Sequence, residues 1–539
     1  MSEVRTREAR EGDVEGIQEI FLRSYGEEYP YREFYDREWL KRALYGERMV
    51  MVVAEDTESG AILGTGSVDL DTGSHSDLVG EMGRLAVHPE ARGRGVGGAI
   101  MERRVSVIED RLHLALVENR TTHTHSQKIS RRFGFVPVGF LPLKHRFVGR
   151  ESVALYARHF GSGVELRKNH PRIVPAAHPV ARLAMANLGL AADLVVDESS
   201  PAYPDEDEFD LSDLESEGLP DLLRIERGRV RGREVFGPMR LHYGFFRLAA
   251  RKASYLVARR PGRPEVGVAG ALGYLHDPVG RTIRIFELIA ATDAPVRTLF
   301  QALLERAWDR GVEYVEVDVS ADAPRLQRTL LELGFLPAAY VPAMAFHEVE
   351  RLDVLKMVAL RMPPSVSDGA FTEEARPIVE AVMEGFRIRS VLPELAARLG
   401  DLAVFRGLGE EQARRLAGAM SLRRFGPGEL LFQVGEAAHE LFVLLDGSVE
   451  VVHPRSGLVG TVEGGETVGE NAMLAEAPHS ASVRSRTKGS AAVLGRDHLK
   501  ELVDRRPDIG VVLYRNLALG LGRKLREAGK SGSSEEPEP

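Results

Sequence analysis

Between residues 4 and 160 apolar positions recur at two spacings, every second residue and every third or fourth, and so predict an α/β unit. Val4 to Ala9 reads as a short strand, and Gly12-Asp13 as the cap of a helix whose apolar face is Val14, Ile17, Ile20 and Phe21. Strand-like runs follow at Met49–Ala54, Ala61–Leu70 and Met82–Val87, and the glycine-rich turn Arg92-Gly-Arg-Gly-Val-Gly-Gly98 opens a helix running to about Glu109. A strand (Leu112–Val117), a helix ending at Arg132-Phe-Gly-Phe135 and two strands around Val136–Arg146 and Ser152–Phe160 complete the unit. Residues 240–362 repeat this outline, with strands at Ala253–Ala258, Val266–Leu275, Thr282–Ala290 and Tyr314–Val319 and a helix at Val296–Arg310. Their last helix ends Leu330-Leu-Glu-Leu-Gly-Phe335-Leu-Pro337, where the first unit has Arg131-Arg-Phe-Gly-Phe135-Val-Pro137. Self-similarity of this kind predicts a duplicated domain.

The stretch between the copies breaks the pattern. It carries a short helical run (Val180–Leu190), Pro201, Pro204 and Pro220, and an acidic run from Asp205 to Glu217, and reads as a solvated linker. After a helix at Glu410–Met420 come short β runs separated by turns at Gly426-Pro-Gly428, Asp446-Gly447, Pro454-Arg-Ser-Gly457 and Glu463-Gly-Gly465, the texture of a small β-roll. A helix at Ile509–Ala528 closes it. The expected organisation is therefore an α/β domain at 1–165, a linker at 166–239, its second copy at 240–365, a linker at 366–399, a β-roll at 400–528 and a low-complexity tail at 529–539.

Composition narrows the chemistry. At 43% apolar and 28% charged residues the chain is too apolar for a disordered protein. Its 71 basic against 80 acidic residues leave a net charge of −9, which excludes a globally basic nucleic-acid binder. Cysteine is absent, so disulfides, thiolate zinc sites and cysteine nucleophiles are excluded and a cytoplasmic location is expected. No run approaches the ~18 consecutive apolar residues of a membrane span. The start, Met1-Ser2-Glu3-Val4-Arg5, lacks the apolar core of a secretion signal.

Candidate chemistry begins at Arg92-x-x-Gly95-x-Gly97. Glycines between a strand and a helix let backbone N–H groups approach a phosphate, and the helix N-terminus adds positive potential. The string also fits Gly93-x-Gly95-x-x-Gly98, the dinucleotide fingerprint, but His88-Pro-Glu-Ala-Arg separates it from its strand. No Gly-Lys-Ser/Thr follows, so it is not a P-loop. On these residues, and on the Gly134-Phe135 ending, the segment 4–160 resembles the GNAT family of acetyltransferases. The resemblance implies that Val87, Arg92, Gly93, Arg94, Gly95, Val96, Gly97 and Gly98 bind acetyl-CoA. It further implies that Glu81, 11 residues before Arg92, is the base that takes the proton of an amine. The family's general acid is a tyrosine four residues before the Gly-Phe glycine. Ser130 stands there, a poor proton donor at its ordinary pKa, with His123, His125 and Ser126 as nearby substitutes. His123-x-His125 is too short and isolated for a metal site.

In the second copy the corresponding loop, Ala290-Ala-Thr-Asp-Ala-Pro-Val-Arg-Thr298, has no glycine, and Pro295 removes an N–H donor. It resembles a degenerate GNAT fold. Residues 400–528 resemble the cyclic-nucleotide-binding domain through Gly426-Pro-Gly-Glu-Leu-Leu-Phe432, Leu441-Phe-Val-Leu-Leu-Asp-Gly447 and the cassette from Val468 to Val483. By that resemblance Gly469, Glu470, Asn471, His479 and Ser480 line a ligand site, Glu470 on the ribose. His479 replaces the arginine that pairs with the cyclic phosphate, a weaker partner than a guanidinium.

The sequence therefore reads as an α/β multidomain protein, two GNAT-like units followed by a β-roll with flanking helices. Its expected function is acyl-CoA-dependent N-acyl transfer to an amine, on a protein lysine or a small molecule, under control of the C-terminal domain. The alternative is a non-catalytic sensor or scaffold for CoA and a nucleotide. Neither nucleic acid nor membrane is an expected partner, and a homodimer stays open.

Overall fold

In the computed structural model, residues 3–531 are described apart from 28, 30, 47, 71, 73–76, 148, 206–207, 215–232, 238–252, 263–267, 363–368, 397–401, 438 and 476. Every strand expected in the first 160 residues forms, most within two residues of its expected ends. They are β1 (Val4–Glu8), β2 (Met49–Asp56), β3 (Ile62–Asp69), β4 (Val79–Val87), β5 (Leu114–Arg120), β6 (Val136–Arg146) and β7 (Arg150–His159). Helices α1 (Val14–Tyr25), α3 (Val96–Ile108) and α4 (His125–Arg132) also follow the pattern. A further helix, α2 (Arg37–Tyr45), starts at Asp36, whose carboxylate accepts from the N–H groups of Glu38 and Trp39.

The later strands are β8 (Arg172–Ile173), β9 (Val195–Val196), β10 (Asp210–Asp213), β11 (Val235–Phe236), β12 (Ser254–Arg259), β13 (Val268–Asp277), β14 (Thr282–Ala290), β15 (Tyr314–Ser320), β16 (Leu336–His347) and β17 (Glu350–Leu360). Strand order across the main sheet is β1-β2-β3-β4-β5-β7-β6-β16-β17-β15-β14-β13-β12-β10. Read outward from its middle, the order is the same on both sides. The two halves meet where β6 and β16 pair antiparallel at Gly139 and Ala339, and a Cβ on Gly139 would collide with the Ala339 side chain. The chain forms two compact units, Met1–Met383 and Glu384–Pro539, and in the first the pairing of β6 with β16 joins the expected domains 1–165 and 240–365 through one sheet.

Near the junction each half lends its terminal hairpin to the other. Arg150, on β7, donates to the carbonyls of Leu143 and Gly280 and pairs with Glu313 at 2.8 Å. Arg351, in the matching place on β17, donates to the carbonyls of Ala343 and Asp77, each at 2.7 Å. Positive backbone φ recurs at matching positions, 50° at both Leu78 and Arg281, and 55° and 50° at Leu143 and Ala343.

The expected linker 166–239 is largely built into the first unit. Arg167 pairs with Asp193 and Asp353, and helix α5 (His178–Asn187) buries Val180, Ala181, Ala184 and Met185 and packs on β6 and β16. Part of the acidic run forms the edge strand β10, and part lies outside the described residues. Likewise helix Arg376–Ala396 occupies much of the expected linker 366–399.

In the second unit, strands Met420–Phe425, Gly489–Gly495, Glu440–Asp446 and Thr467–Val468 form one four-stranded sheet. Leu430–Phe432, Ser482–Ser485, Ser448–His453 and Gly457–Glu463 form the other. Phe425, Phe432, Phe442, Leu444, Val449 and Val483 belong to one core. A second core joins Leu416, Leu441 and Leu494 to Ile509, Leu513 and Leu517 of helix Pro507–Ser531. The expected tail mostly falls outside the described residues.

The junction is directly testable. Gly139→Val should destabilise the first unit by roughly 1–3 kcal/mol, the usual cost of forcing volume into a packed site. Denaturant melts should show that unit's transition shifted and the second unit's unchanged.

Candidate functional site

Strands β4 and β5 run parallel but pair only along Val79–Met82 and Leu114–Val117. Beyond that point β4 stays with β3, and a bulge sets Gly83 opposite Ser67 and Ala86 opposite Thr65. β5 instead stays with β7, with Glu118 opposite Leu155. The strands therefore part and leave a wedge between Gly83–Val87 and Glu118–Arg120. Arg104 supports the bulge from α3. Its buried guanidinium donates to the Ser67 carbonyl at 3.2 Å and the Gly83 carbonyl at 3.0 Å, and burial draws its pKa down to about 10.

At the end of β4, beyond Val87, stands the glycine loop. Gly93 and Gly95 both have φ of 80°, where a side chain would be strained, and nothing lies within 4 Å of the place a Cβ would take. Gly95 is the N-cap of α3, so the exposed backbone of Arg92–Gly95 leads directly into a helix N-terminus. Val96 is buried under the loop, and Gly98 is half-buried. A Cβ on Gly97 would stand 3.3 Å from Ile129, so this glycine sets the approach of α3 to α4. Arg92 and Arg94 are exposed, Arg94 beside Asp56 at 3.8 Å.

Two carboxylates flank the apex of the wedge. Glu81 precedes Met82, the last paired residue of β4, and Glu118 follows Val117, the last paired residue of β5. Burial raises the Glu81 pKa, and the Glu118 charge adds to the rise against Arg84 and Lys144. Burial works the same way on Glu118, but Lys144 and His145 outweigh it and hold that carboxyl well below the usual range. Lys144 Nζ lies 2.5 Å from Glu118 Oε1, and His145 Nε2 lies 2.7 Å from Glu118 Oε2. Of the two carboxyls Glu81 is thus the more readily protonated and Glu118 the one held ionised. Tyr31 stands over this pair, its ring 5.2 Å from the Arg84 guanidinium and 6.3 Å from the His145 ring.

The structure does not bring Ser130 to these groups. It is 1% exposed, and its hydroxyl donates to Asn119 Oδ1 at 3.1 Å. His123 and His125 are exposed, their rings 5.0 Å apart, and Ser126 is half-buried. Among the described residues no group of three or more metal-ligating side chains occurs.

The second half has the same parting of strands and a different occupant. β14 and β15 pair only along Thr282–Ile285 and Tyr314–Val317. In the gap beyond, β11 pairs with β15, Val235 opposite Val319 and Phe236 opposite Asp318, and Gly237 packs directly on Phe286. The wedge is filled by the chain itself. Register also places Arg284 where the first half has Glu81, and Arg284 pairs with Glu316 at 3.8 Å and Asp318 at 3.5 Å. A cation stands where the first half has a carboxylate.

In the second unit the cassette folds around Gly469, whose φ is 89°, followed by the short helix Glu470–Ala475. Glu470 is 4% exposed and pairs with Lys524 of the last helix at 2.6 Å. Lys524 also donates to the Thr467 carbonyl. The His479 ring stacks on Phe432 at 3.8 Å between centroids and 14° between planes, and burial lowers its pKa. Asn471 and Ser480 are exposed. Arg484 and Arg486 are exposed too, on either side of buried Ser485. Lys144, Glu316 and Lys524 are absent from the sequence reading. Only Lys144 and its neighbour His145 carry a local signal, as they open the basic run Lys144-His-Arg146 that ends an otherwise apolar strand.

Comparison with known proteins bears on both units. The pattern of the acetyltransferase (GNAT) domain matches residues 47–137, and that of the cyclic nucleotide-binding domain matches residues 422–506. The chain carries both domains. The cAMP-dependent protein kinase regulatory subunit of Yarrowia lipolytica is 31% identical over 106 residues, 20% of this chain and 28% of that protein. The cGMP-dependent protein kinase of Eimeria tenella is 27% identical over 139 residues, 24% and 14% of the two chains. This chain thus covers under a third of the length of these curated relatives. Among solved structures, a GNAT superfamily phosphinothricin acetyltransferase from Sinorhizobium meliloti in complex with AcCoA is similar at 22% identity. The match covers 30% of this chain and 90% of that one, with a TM-score of 0.27. A cyclic nucleotide-binding domain from Methylobacillus flagellatus is similar at 24% identity, covering 28% and 85% of the chains, with a TM-score of 0.25. No described helix is long and apolar enough to cross a membrane.

Proposed function

We propose that the protein transfers an acyl group, acetyl in the simplest case, from CoA to an amine, using the first half of its large unit. The observation that carries this is the open wedge between β4 and β5, with a glycine loop at one end and Glu81 at its apex. The loop supplies backbone N–H groups and a helix N-terminus for the pyrophosphate of acetyl-CoA, and the wedge fits the extended pantetheine arm. Glu81 takes a proton from the acceptor nitrogen, which then attacks the thioester carbonyl. The amide forms, the carbon–sulfur bond breaks, and the thiolate gains its proton from water. Ser130 is not needed as the acid. Proximity in the wedge and solvation of the thiolate supply the remaining drive. The aromatic and acidic surroundings of Tyr31, Glu81 and Glu118 suit a primary amine, on a protein lysine or a small molecule.

We propose further that the second half is a degenerate copy whose wedge is closed by residues Glu234–Gly237, and that the C-terminal domain modulates the enzyme. Buried Ser130 favours the competing reading, a CoA-binding scaffold without chemistry. The variants below separate the two.

Gly95→Glu should abolish acetyl-CoA binding in calorimetry, through steric block and like charge. Binding equal to the parent's would remove the loop from the site. Glu81→Gln should lower turnover at neutral pH by roughly 10²–10⁴-fold with acetyl-CoA affinity nearly kept, measured by thiol release across a panel of primary amines. For the second unit, cyclic AMP should bind weakly. Glu470 is engaged by Lys524, and His479 stays neutral until the pH falls below the ordinary histidine range of about 6.5. Binding should therefore strengthen on acidification. His479→Arg should raise affinity by roughly ten- to two-hundred-fold and remove the pH dependence, as titration at two pH values would show.

A further inference from the structure

The second half has its own wedge closed and an arginine in place of a base, yet its interior is rich in charge. Glu316 lies on β15, a strand of that half, and its carboxylate reaches Lys144 Nζ of β6 at 3.2 Å. Lys144 in turn holds Glu118 at 2.5 Å, beside Glu81 at the apex of the open wedge. Behind Glu316 the network continues. Arg284 pairs with both Glu316 and Asp318, and Lys356 holds Asp318 at 2.6 Å. All of these side chains are buried or nearly so, and 172 residues separate Lys144 from Glu316.

We propose that the second half is a working part of the first half's active site, with Glu316 acting through Lys144 as a positioning residue that fixes the charge balance at Glu81. The inference rests on Glu81 as the base of the proposed transfer.

The groups facing Glu81 are few. Arg84 comes from its own strand, Asp69 from β3, Glu118 from β5, Lys144 from β6, Arg284 from β14 and Tyr31 from the segment between α1 and α2. Five carboxylates, Asp69, Glu81, Glu118, Glu316 and Asp318, thus share a largely buried space with four cations, Arg84, Lys144, Arg284 and Lys356. Where water is excluded, one added or missing charge acts strongly on its neighbours. Without the Glu316 charge, Lys144 and Arg284 are less neutralised and stabilise the Glu81 carboxylate, weakening it as a base. Without the Lys144 charge, Glu118 is less neutralised and opposes ionisation of Glu81. The two changes act in opposite directions on the same proton.

The test reads that proton directly in the full chain. Isotope-edited infrared titration follows the carboxyl bands, and the Glu81 band is the one lost in Glu81→Gln. Glu316→Gln, which keeps shape and removes charge, should move the Glu81 midpoint down by about half a pH unit or more. Lys144→Gln should move it up by a similar amount. Thermal melts and acetyl-CoA calorimetry accompany both variants. If Lys144→Gln does not fold, Glu316→Gln alone decides. A Glu81 midpoint that stays in place in folded Glu316→Gln overturns the inference, as does movement upward. Thiol release from acetyl-CoA, with added primary amines, separates this failure from that of the base assignment. Should Glu81→Gln keep the parent's rate and pH profile, Glu81 is not the base. Should it lose both while Glu316→Gln leaves the Glu81 midpoint unmoved, the base stands and the second half plays no part in it.

Discussion

The large unit depends on one close approach, the pairing of β6 with β16 at Gly139 and Ala339, where nothing larger than a methyl group fits between the backbones. Each half would otherwise end in an exposed strand edge, a surface that invites pairing with other chains. Joining the edges at Gly139 and Ala339 brings them together in one sheet. It also brings each terminal hairpin onto the other half, where Arg150 and Arg351 satisfy carbonyls that cross the junction. The two arginines are matched in position and unlike in charge balance. Arg150 has Glu313 beside it, whereas Arg351 has His113 at 3.2 Å, and burial draws the Arg351 pKa down to about 10.

Much of this was legible in the residues. Alternation marked the strands, and the repeated outline with its Gly-Phe endings marked the likeness of the two halves, because turns and helix stops have local chemical requirements. The joining of the halves was not legible. A small residue at 139 does not announce that another strand lies against it, and the repeated Pro142 and Pro342 were the nearest local trace of two matching bends. The segment after residue 165 was hidden for a related reason. Its short strands β8, β9 and β11 have only two residues each, too few for periodicity to register, and their partners are supplied by the fold. The glycine loop stood out by its spacing and Glu81 through the family resemblance that the loop carries, while Glu316 became visible only when tertiary structure set it against Lys144.

The small unit shows the same division between pattern and chemistry. Turns and strands identify its roll, and Glu470 opens the short helix Glu470–Ala475. What meets Glu470 is Lys524 of the closing helix, far along the chain, and what covers His479 is Phe432. A carboxylate expected to grip a ligand is thereby engaged within the protein. A ligand that needed Glu470 would compete with the Lys524 ammonium at hydrogen-bonding distance.

The strand β11 in the second wedge has one more consequence. A ligand-filled cleft gains order from its ligand, and that gain rises with ligand concentration. In the second half the filling is covalently part of the chain, so its order is constant and independent of supply. In the first half no described strand pairs in the gap between Gly83–Val87 and Glu118–Arg120, and the parted strands are held there by β3 and β7. The repeated strand order therefore pairs a frame completed by its own chain with one whose inner edges stay apart.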